Sequence, residues 1–169
     1  MQRLLELDAR VSQRLRVAES PGILRTLAAV LAHSGDSWFW FMGLAGVYWL
    51  GDEPWKRWAG VLLIAILATA VVVMAIKFTV RRRRPEGDWG NIYRSTDPHS
   101  FPSGHAARAL LVAVLSLALV PAPWAGILLA VWAPLVSLAR VAMGLHYLSD
   151  VLAGGLLGIV IGGVILFVL

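Results

Sequence analysis

The chain has 169 residues, of which 59% are hydrophobic, a mean hydropathy of +0.73 and a formal net charge of +5. So apolar a composition excludes an ordinary soluble domain of this size, and the absence of cysteine excludes both a disulfide framework and a thiolate metal site. The positive charge suits an anionic membrane surface; a nucleic-acid partner is set aside, because neither a recognition module nor a basic face with interleaved aromatics accompanies the arginines.

In chain order, Leu4, Leu7, Val11 and Leu15 form a stripe at helical spacing, with Arg3, Glu6, Asp8 and Arg10 on the other faces. Residues 1–20 are therefore expected as an amphipathic helix in the membrane interface. Its interleaved charges are unlike the uninterrupted apolar core of a signal peptide. Pro21 and Gly22 break the chain before two short apolar helices, Ile23 to Ala32 and Trp38 to Leu50, joined by the polar turn His33, Ser34, Gly35, Asp36. These predict a helical hairpin over 21–51. After the polar knot Gly51 to Lys56, a third helix runs from about Arg57 to Thr79. The long polar connection from Arg81 to Pro102 carries Asp88, Trp89, Tyr93, Arg94, Asp97 and His99, and a loop of that length in a compact protein is usually functional or disordered. A fourth helix follows His105, Pro121 and Pro123 mark a tight turn, a fifth runs to about Val141, and a sixth starts near His146.

Runs from Ala59 to Ile76, Ala106 to Val120, Trp124 to Leu138 and Val151 to Leu169 each approach the ~20 residues needed to cross a hydrocarbon layer of ~30 Å. Backbone groups in lipid must be satisfied within their own segment. The expected fold is thus all-α: one membrane domain, a polytopic bundle of about six transmembrane helices whose four-helix core spans 57–169. Most of the eight tryptophans, Trp38, Trp55, Trp58, Trp89 and Trp124 among them, fall near the ends of apolar runs, as an interfacial belt requires.

Three polar clusters fall at helix ends. Lys77 and Arg84 leave the third helix; Pro102, Ser103, Gly104 and His105 open the fourth; Arg140 closes the fifth, and His146 with Asp150 opens the sixth. If the last four helices all span, these residues share one membrane face. A helix N-terminus with a hydroxyl and a glycine is an anion site, where free N–H groups and the positive dipole end meet the ligand. On a helix His146 and Asp150 occupy one face, so the carboxylate is expected to accept from the imidazole Nδ1–H and leave Nε2 as a nucleophile.

The pattern K-x6-RP from Lys77 to Pro85, PSGH at 102–105, and R-x5-H-x3-D from Arg140 to Asp150 resemble the three signature motifs of the type 2 phosphatidate phosphatase superfamily, which includes vanadium haloperoxidases. The resemblance covers about residues 57–169. It implies a phosphate clamped by Lys77, Arg84 and Arg140, with Ser103 and the Gly104 N–H completing the shell, His146 as nucleophile, Asp150 holding its tautomer, and His105 as general acid and then base. It implies no metal and no cofactor. It further implies a lipid substrate such as undecaprenyl diphosphate, phosphatidylglycerol phosphate or phosphatidate, a phosphohistidine intermediate, and membrane lipids as neighbours. Ala139 stands where that third motif usually has serine, and Ser137 is expected to point elsewhere on its helix.

Arg81, Arg82 and Arg83 are left as head-group or lid contacts, Arg108 as a residue beside the site, and His33 with Asp36 as a polar turn or supporting groups. Counting basic residues does not decide orientation, because those of the N-terminal arm and the 51–57 loop are matched by those around 77–94. The family pattern implies a cell-membrane protein with a cytoplasmic N-terminus and a site outside the cytoplasm. A non-catalytic protein binding anionic lipids explains the arginine run equally well, but not the convergence of histidines and cations. A metal hydrolase using His99, His105 and His146 lacks a standard zinc spacing. A vanadate peroxidase shares the anion cage, yet a lipid-embedded chain suits small soluble halides poorly.

Overall fold

The computed structural model describes residues 2–87 and 97–169; Asp88, Trp89, Tyr93 and Arg94 of the long connection lie outside them. Among the described residues the chain is helical: α1 (Gln2–Arg14), α2 (Ile23–Ser34), α3 (Ser37–Leu50), α4 (Glu53–Val80), α5 (Gly104–Leu119), α6 (Pro123–Ala142) and α7 (Leu148–Val168). Three of these, α4, α6 and α7, are long and apolar enough to cross a membrane, whereas α2 and α5 are apolar but shorter. Asp52 caps α4, accepting from the Trp55 N–H at 3.4 Å, and Pro54 sits in its first turn, where a missing N–H costs nothing.

The packing of α5 on α7 sets the centre of the bundle. Gly154, Gly158 and Gly162 recur every fourth residue on one face of α7. A Cβ on Gly154 would strike the Ser103 carbonyl oxygen, one on Gly158 the Ala107 carbonyl oxygen, and one on Gly162 would lie 2.9 Å from Val114 Cγ1. Small residues in this register let two helix backbones approach where lipid gives no hydrophobic drive to associate. Beside them, Leu44, Trp58, Leu62, Ile66, Leu111 and Leu115 form the largest apolar cluster, between α3, α4 and α5. Trp38, Trp49 and Trp124 are exposed, as an interfacial belt requires; Trp58 is not, and its Nε1–H donates to Ser116 Oγ at 3.1 Å in the core.

The hairpin expected over 21–51 is replaced by two helices in series. The Ala18 N–H donates to Ala142 O at 3.0 Å, so the chain enters α2 beside the last turn of α6. At the far end of α2, Ser34 Oγ accepts from Trp132 Nε1 at 2.8 Å, well down α6. From the break at Gly35 and Asp36, α3 continues away from the site: Ser37 meets Arg108, and a Cβ on Gly51 would touch Trp55 at the opposite end of α4. At 1.5 Å per residue α2 covers about 18 Å and α3 about 21 Å, each shorter than a hydrocarbon layer of ~30 Å. Arg108 holds the break, its Nε and Nη2 donating to the Gly35 carbonyl at 2.9 and 2.6 Å and its Nη1 to Ser37 Oγ.

The N-terminal helix α1 lies across the end of the bundle. Asp8 and Ser12 serve as caps for α7 from another element: Leu148 N–H donates to Ser12 Oγ at 2.8 Å and Ser149 N–H to Asp8 Oδ1 at 3.1 Å. Leu4, Leu5 and Leu7 stay exposed on the face turned from the protein, as an interfacial helix requires. Gly158→Leu is expected to lower the thermal midpoint in detergent by several degrees, since overpacking costs about 1–3 kcal/mol and the opposing atoms are backbone; a thermal melt checks this.

Candidate active site

The site is built where four helix ends meet. Lys77 occupies the last turn of α4, which ends as Arg81 adopts a left-handed conformation (φ 52°). Residues 81–84 then run antiparallel to 97–100, with a bridge between Arg83 and His99 and the Ser100 N–H donating to Arg82 O at 2.8 Å. This pairing turns Arg84 inward and brings the Ser100 carbonyl to the pocket. Ser103 caps α5, weakly accepting from the Ala106 N–H at 3.5 Å, and its own N–H donates to Asp150 O at 2.9 Å. After α6 the chain folds back around the Arg140 carbonyl, which accepts from Leu145 N–H at 3.0 Å and His146 N–H at 3.3 Å. Gly144 takes φ +68° in that turn, a conformation side chains resist, so the glycine is what lets the chain reverse between Arg140 and His146.

Of the residues expected at the site, Lys77, Arg84, Ser103, Arg140, His146 and Asp150 are all buried. Lys77, Gly104, His105 and His146 line one cavity of about 180 Å³, with Asp97, Ser37 and Arg108. The same cavity is also lined by Met74, Val73, Ala70, Thr69 and Ile66 of α4, a mostly apolar strip of that helix. Arg84 spreads its donors: Nε to Asp97 O at 2.7 Å, Nη1 to Leu145 O at 2.9 Å and to His146 Nε2 at 3.1 Å, and Nη2 to Asp97 Oδ2 at 2.7 Å. Lys77 Nζ donates to the same Asp97 oxygen and to His99 O at 3.0 Å.

The partner of His146 differs from the one expected. Its Nδ1–H donates to the Ser100 carbonyl at 2.9 Å, while Asp150 Oδ2 lies 3.7 Å away, beyond hydrogen-bond reach. The helical i,i+4 geometry does not apply because α7 begins only at Leu148. Asp150 is committed elsewhere, accepting from the Tyr147 N–H at 2.9 Å and from Arg82 Nη1 at 2.7 Å, so it acts on the imidazole as a nearby charge. Burial pushes the His146 imidazole down to about 3; Asp150 opposes this, and the Arg84 and Arg140 charges reinforce it. The ring is neutral, with Nε2 carrying the lone pair.

Arg82, expected at lipid head groups, instead lies between carboxylates, donating to Asp8 Oδ2 and to Asp150 Oδ1, each at 2.7 Å, with its guanidinium 3.9 Å over the Tyr147 ring. Asp36 sits closer to the chemistry than a polar turn: its Oδ1 is 2.7 Å from His105 Nε2 and its Oδ2 3.1 Å from His33 Nδ1. Ala139 packs in a cluster with Ala18, Ala28 and Ala32, so the small side chain at that position admits α2; Ser137 Oγ donates back to Ala133 O at 2.9 Å.

Asp97 and Ser100 carry no mark of a site residue in the sequence, since a polar loop has no period from which to read direction. Asp97 stands against two buried cations where an external anion would bind. Burial tends to raise its carboxyl, and the bond from Lys77 with the charges of Lys77 and Arg84 holds it low. Asp97→Asn is expected to tighten inorganic phosphate or vanadate on the order of tenfold, about 1.4 kcal/mol, by withdrawing the competing charge, and to lower thermal stability; calorimetry and melting check both. Between pH 6.5 and about 3 the unfolded chain binds a proton at His146 that the folded chain does not. Stability therefore falls as pH drops through that window, and His146→Gln is expected to flatten this slope in melts taken against pH.

The chain is similar to known proteins along most of its length. The PAP2 superfamily model matches residues 58–168. Decaprenylphosphoryl-5-phosphoribose phosphatase of Mycolicibacterium smegmatis is similar, with 35% identity over 148 residues, 85% of this chain and 78% of that protein. Undecaprenyl-diphosphatase of Sulfolobus acidocaldarius is 36% identical over 107 residues, 60% of this chain and 51% of that protein. Among solved structures, a transmembrane PAP2 type phosphatidylglycerolphosphate phosphatase from Bacillus subtilis shares the fold at a TM-score of 0.79 and 22% identity, covering 99% of this chain and 87% of its own. Aquifex aeolicus LpxE does so at 0.71 and 24%, covering 92% and 93%. The motif residues, the helical membrane fold and the family match agree, and the chain belongs to the PAP2 superfamily, whose members similar to it are lipid phosphatases.

Proposed function

We propose that this protein hydrolyses a phosphate from a lipid phosphate or diphosphate through a phosphohistidine at His146. The observation that carries the reading is a neutral, fully buried imidazole whose Nδ1–H is tied to the Ser100 carbonyl and whose Nε2 lies 3.1 Å from Arg84 Nη1, beside Lys77. Phosphoryl transfer spreads negative charge over the equatorial oxygens, and fixed guanidinium and ammonium groups stabilise that charge without reorganising. Two of the similar proteins are named for decaprenyl- and undecaprenyl-linked phosphates, and the mostly apolar strip of α4 along the cavity suits a lipid tail.

The incoming phosphate replaces the Asp97 carboxylate on Lys77 and Arg84. Arg84 Nη1 then turns from His146 Nε2 to a phosphate oxygen, which releases the lone pair for attack. As the Nε2–P bond forms, the P–O bond to the lipid breaks and His105 gives its proton to the departing oxygen. Water next attacks phosphorus, His105 takes the water proton, and the P–N bond breaks to release phosphate. Arg140 and the N-terminal amides of α5, capped by Ser103 and opened by Gly104, complete the anion shell. Asp150 stabilises the cationic ring that forms, through space. Asp36 holds the orientation of His105 through the 2.7 Å contact with its Nε2.

No metal takes part in these steps. Purified protein assayed for phosphate release across a panel of prenyl, phosphatidyl and phosphatidylglycerol phosphates is expected to retain its rate with chelator present. His146→Ala and His105→Ala lose nearly all turnover with the fold retained, and acid quenching during turnover of the unaltered protein yields protein-bound phosphate that His146→Ala lacks. Activity persisting in His146→Ala rejects the nucleophile. Asp36→Asn is expected to lower kcat on the order of tenfold, part of the ~10²–10⁴ available to general acid–base catalysis, with KM little changed.

A further inference from the structure

The two ends of the bundle differ sharply in charge once α2 and α3 are seen to run in series. A hairpin would have put the N-terminal arm at the end remote from the site. Instead Ala18 lies on Ala142, Asp8 bonds Ser149 and Arg82, and Arg16 Nη1 donates to Glu86 O at 2.7 Å, so the arm shares the face of the pocket. Setting aside the cations inside the pocket, that face carries Arg3, Arg10, Arg14, Arg16 and Arg25 from the arm and the start of α2, together with Arg81, Arg82 and Arg83 after α4. The other face carries Lys56 and Arg57, balanced by Asp52 and Glu53; the turn between α5 and α6 is uncharged. The division among these residues is eight basic groups to two.

Basic residues flanking membrane spans are retained on the cytoplasmic side, and acidic residues weigh little in that choice. Exposed arginines are further drawn to the anionic lipids of the cytoplasmic leaflet. Arg3, Arg10, Arg14, Arg81 and Arg83 are exposed in this way, beside the outward leucines of α1. We propose that the pocket opens to the cytoplasmic face, so that the arm and the site lie inside and the Glu53 loop outside. This reverses the orientation that the family resemblance implies.

The orientation stands apart from the chemistry, but its metabolic meaning rests on the lipid phosphatase reading. The substrate is then a lipid phosphate of the cytoplasmic leaflet, and the released phosphate enters the cytosol.

The chain has no cysteine, so single reporters can be read without background. Gln13→Cys on the arm and Glu53→Cys at the start of α4 are both exposed and leave every basic residue in place. Full-length protein in bacterial spheroplasts is treated with a membrane-impermeant maleimide before or after lysis. Glu53→Cys is expected to label equally in both, and Gln13→Cys only after lysis. Labelling of Gln13→Cys in intact spheroplasts, alone or together with Glu53→Cys, overturns the proposal, as does a Glu53→Cys that labels only after lysis. Labelling needs no turnover, so failure of the orientation is distinguishable from failure of the phosphatase reading, which the phosphate-release assay tests separately.

Discussion

Three cations buried around one neutral imidazole are the constraint on which the rest of this structure depends. Lys77, Arg84 and Arg140 come from three separate segments, and each is almost wholly withdrawn from solvent. Charges of one sign held together in a poorly polarisable region repel one another and cost solvation, so they persist only where the surrounding elements leave them no other place. The carboxylate of Asp97 offsets part of that charge by bonding Lys77 and Arg84 at once. A pocket built this way is poised for an anion, and burial, reinforced by the Arg84 and Arg140 charges, keeps His146 unprotonated.

The fold supplies rigidity at the points where that arrangement would otherwise relax. Glycines on α7 bring α5 close enough for Ser103 and Asp150 to share a backbone bond. The paired segments 81–84 and 97–100 set Arg84 and the Ser100 carbonyl on either side of His146. At the end of the bundle, α1 caps α7 through Asp8 and Ser12, while Arg82 joins Asp8 to Asp150. The amphipathic arm is thereby part of the support of the site as well as an interfacial helix.

The break between α2 and α3 has the widest reach. By stopping α2 partway down α6, it delivers Asp36 to His105 and places Arg108 on the Gly35 carbonyl. It also moves the arm to the face of the site, which converts an ambiguous charge distribution into an asymmetric one. A local irregularity thus bears on both the placement of His105 and the charge of the face at which the pocket lies.

Much of this was legible in the sequence, because the bilayer imposes length and hydropathy so strictly that helical spans announce themselves, and because Lys77, Arg84, Ser103, His105, Arg140 and His146 stand at span ends in a spacing chemistry explains. What only tertiary structure decided were contacts between segments with no common period: Ser100 rather than Asp150 on His146 Nδ1, Asp97 on the cations, Asp36 on His105, and Arg82 between two carboxylates. Hydropathy also reads a hairpin and two helices in series alike, since both are short apolar runs about a polar turn. The direction of the second run is set by packing against α4 and α6, and no local pattern along the chain encodes it.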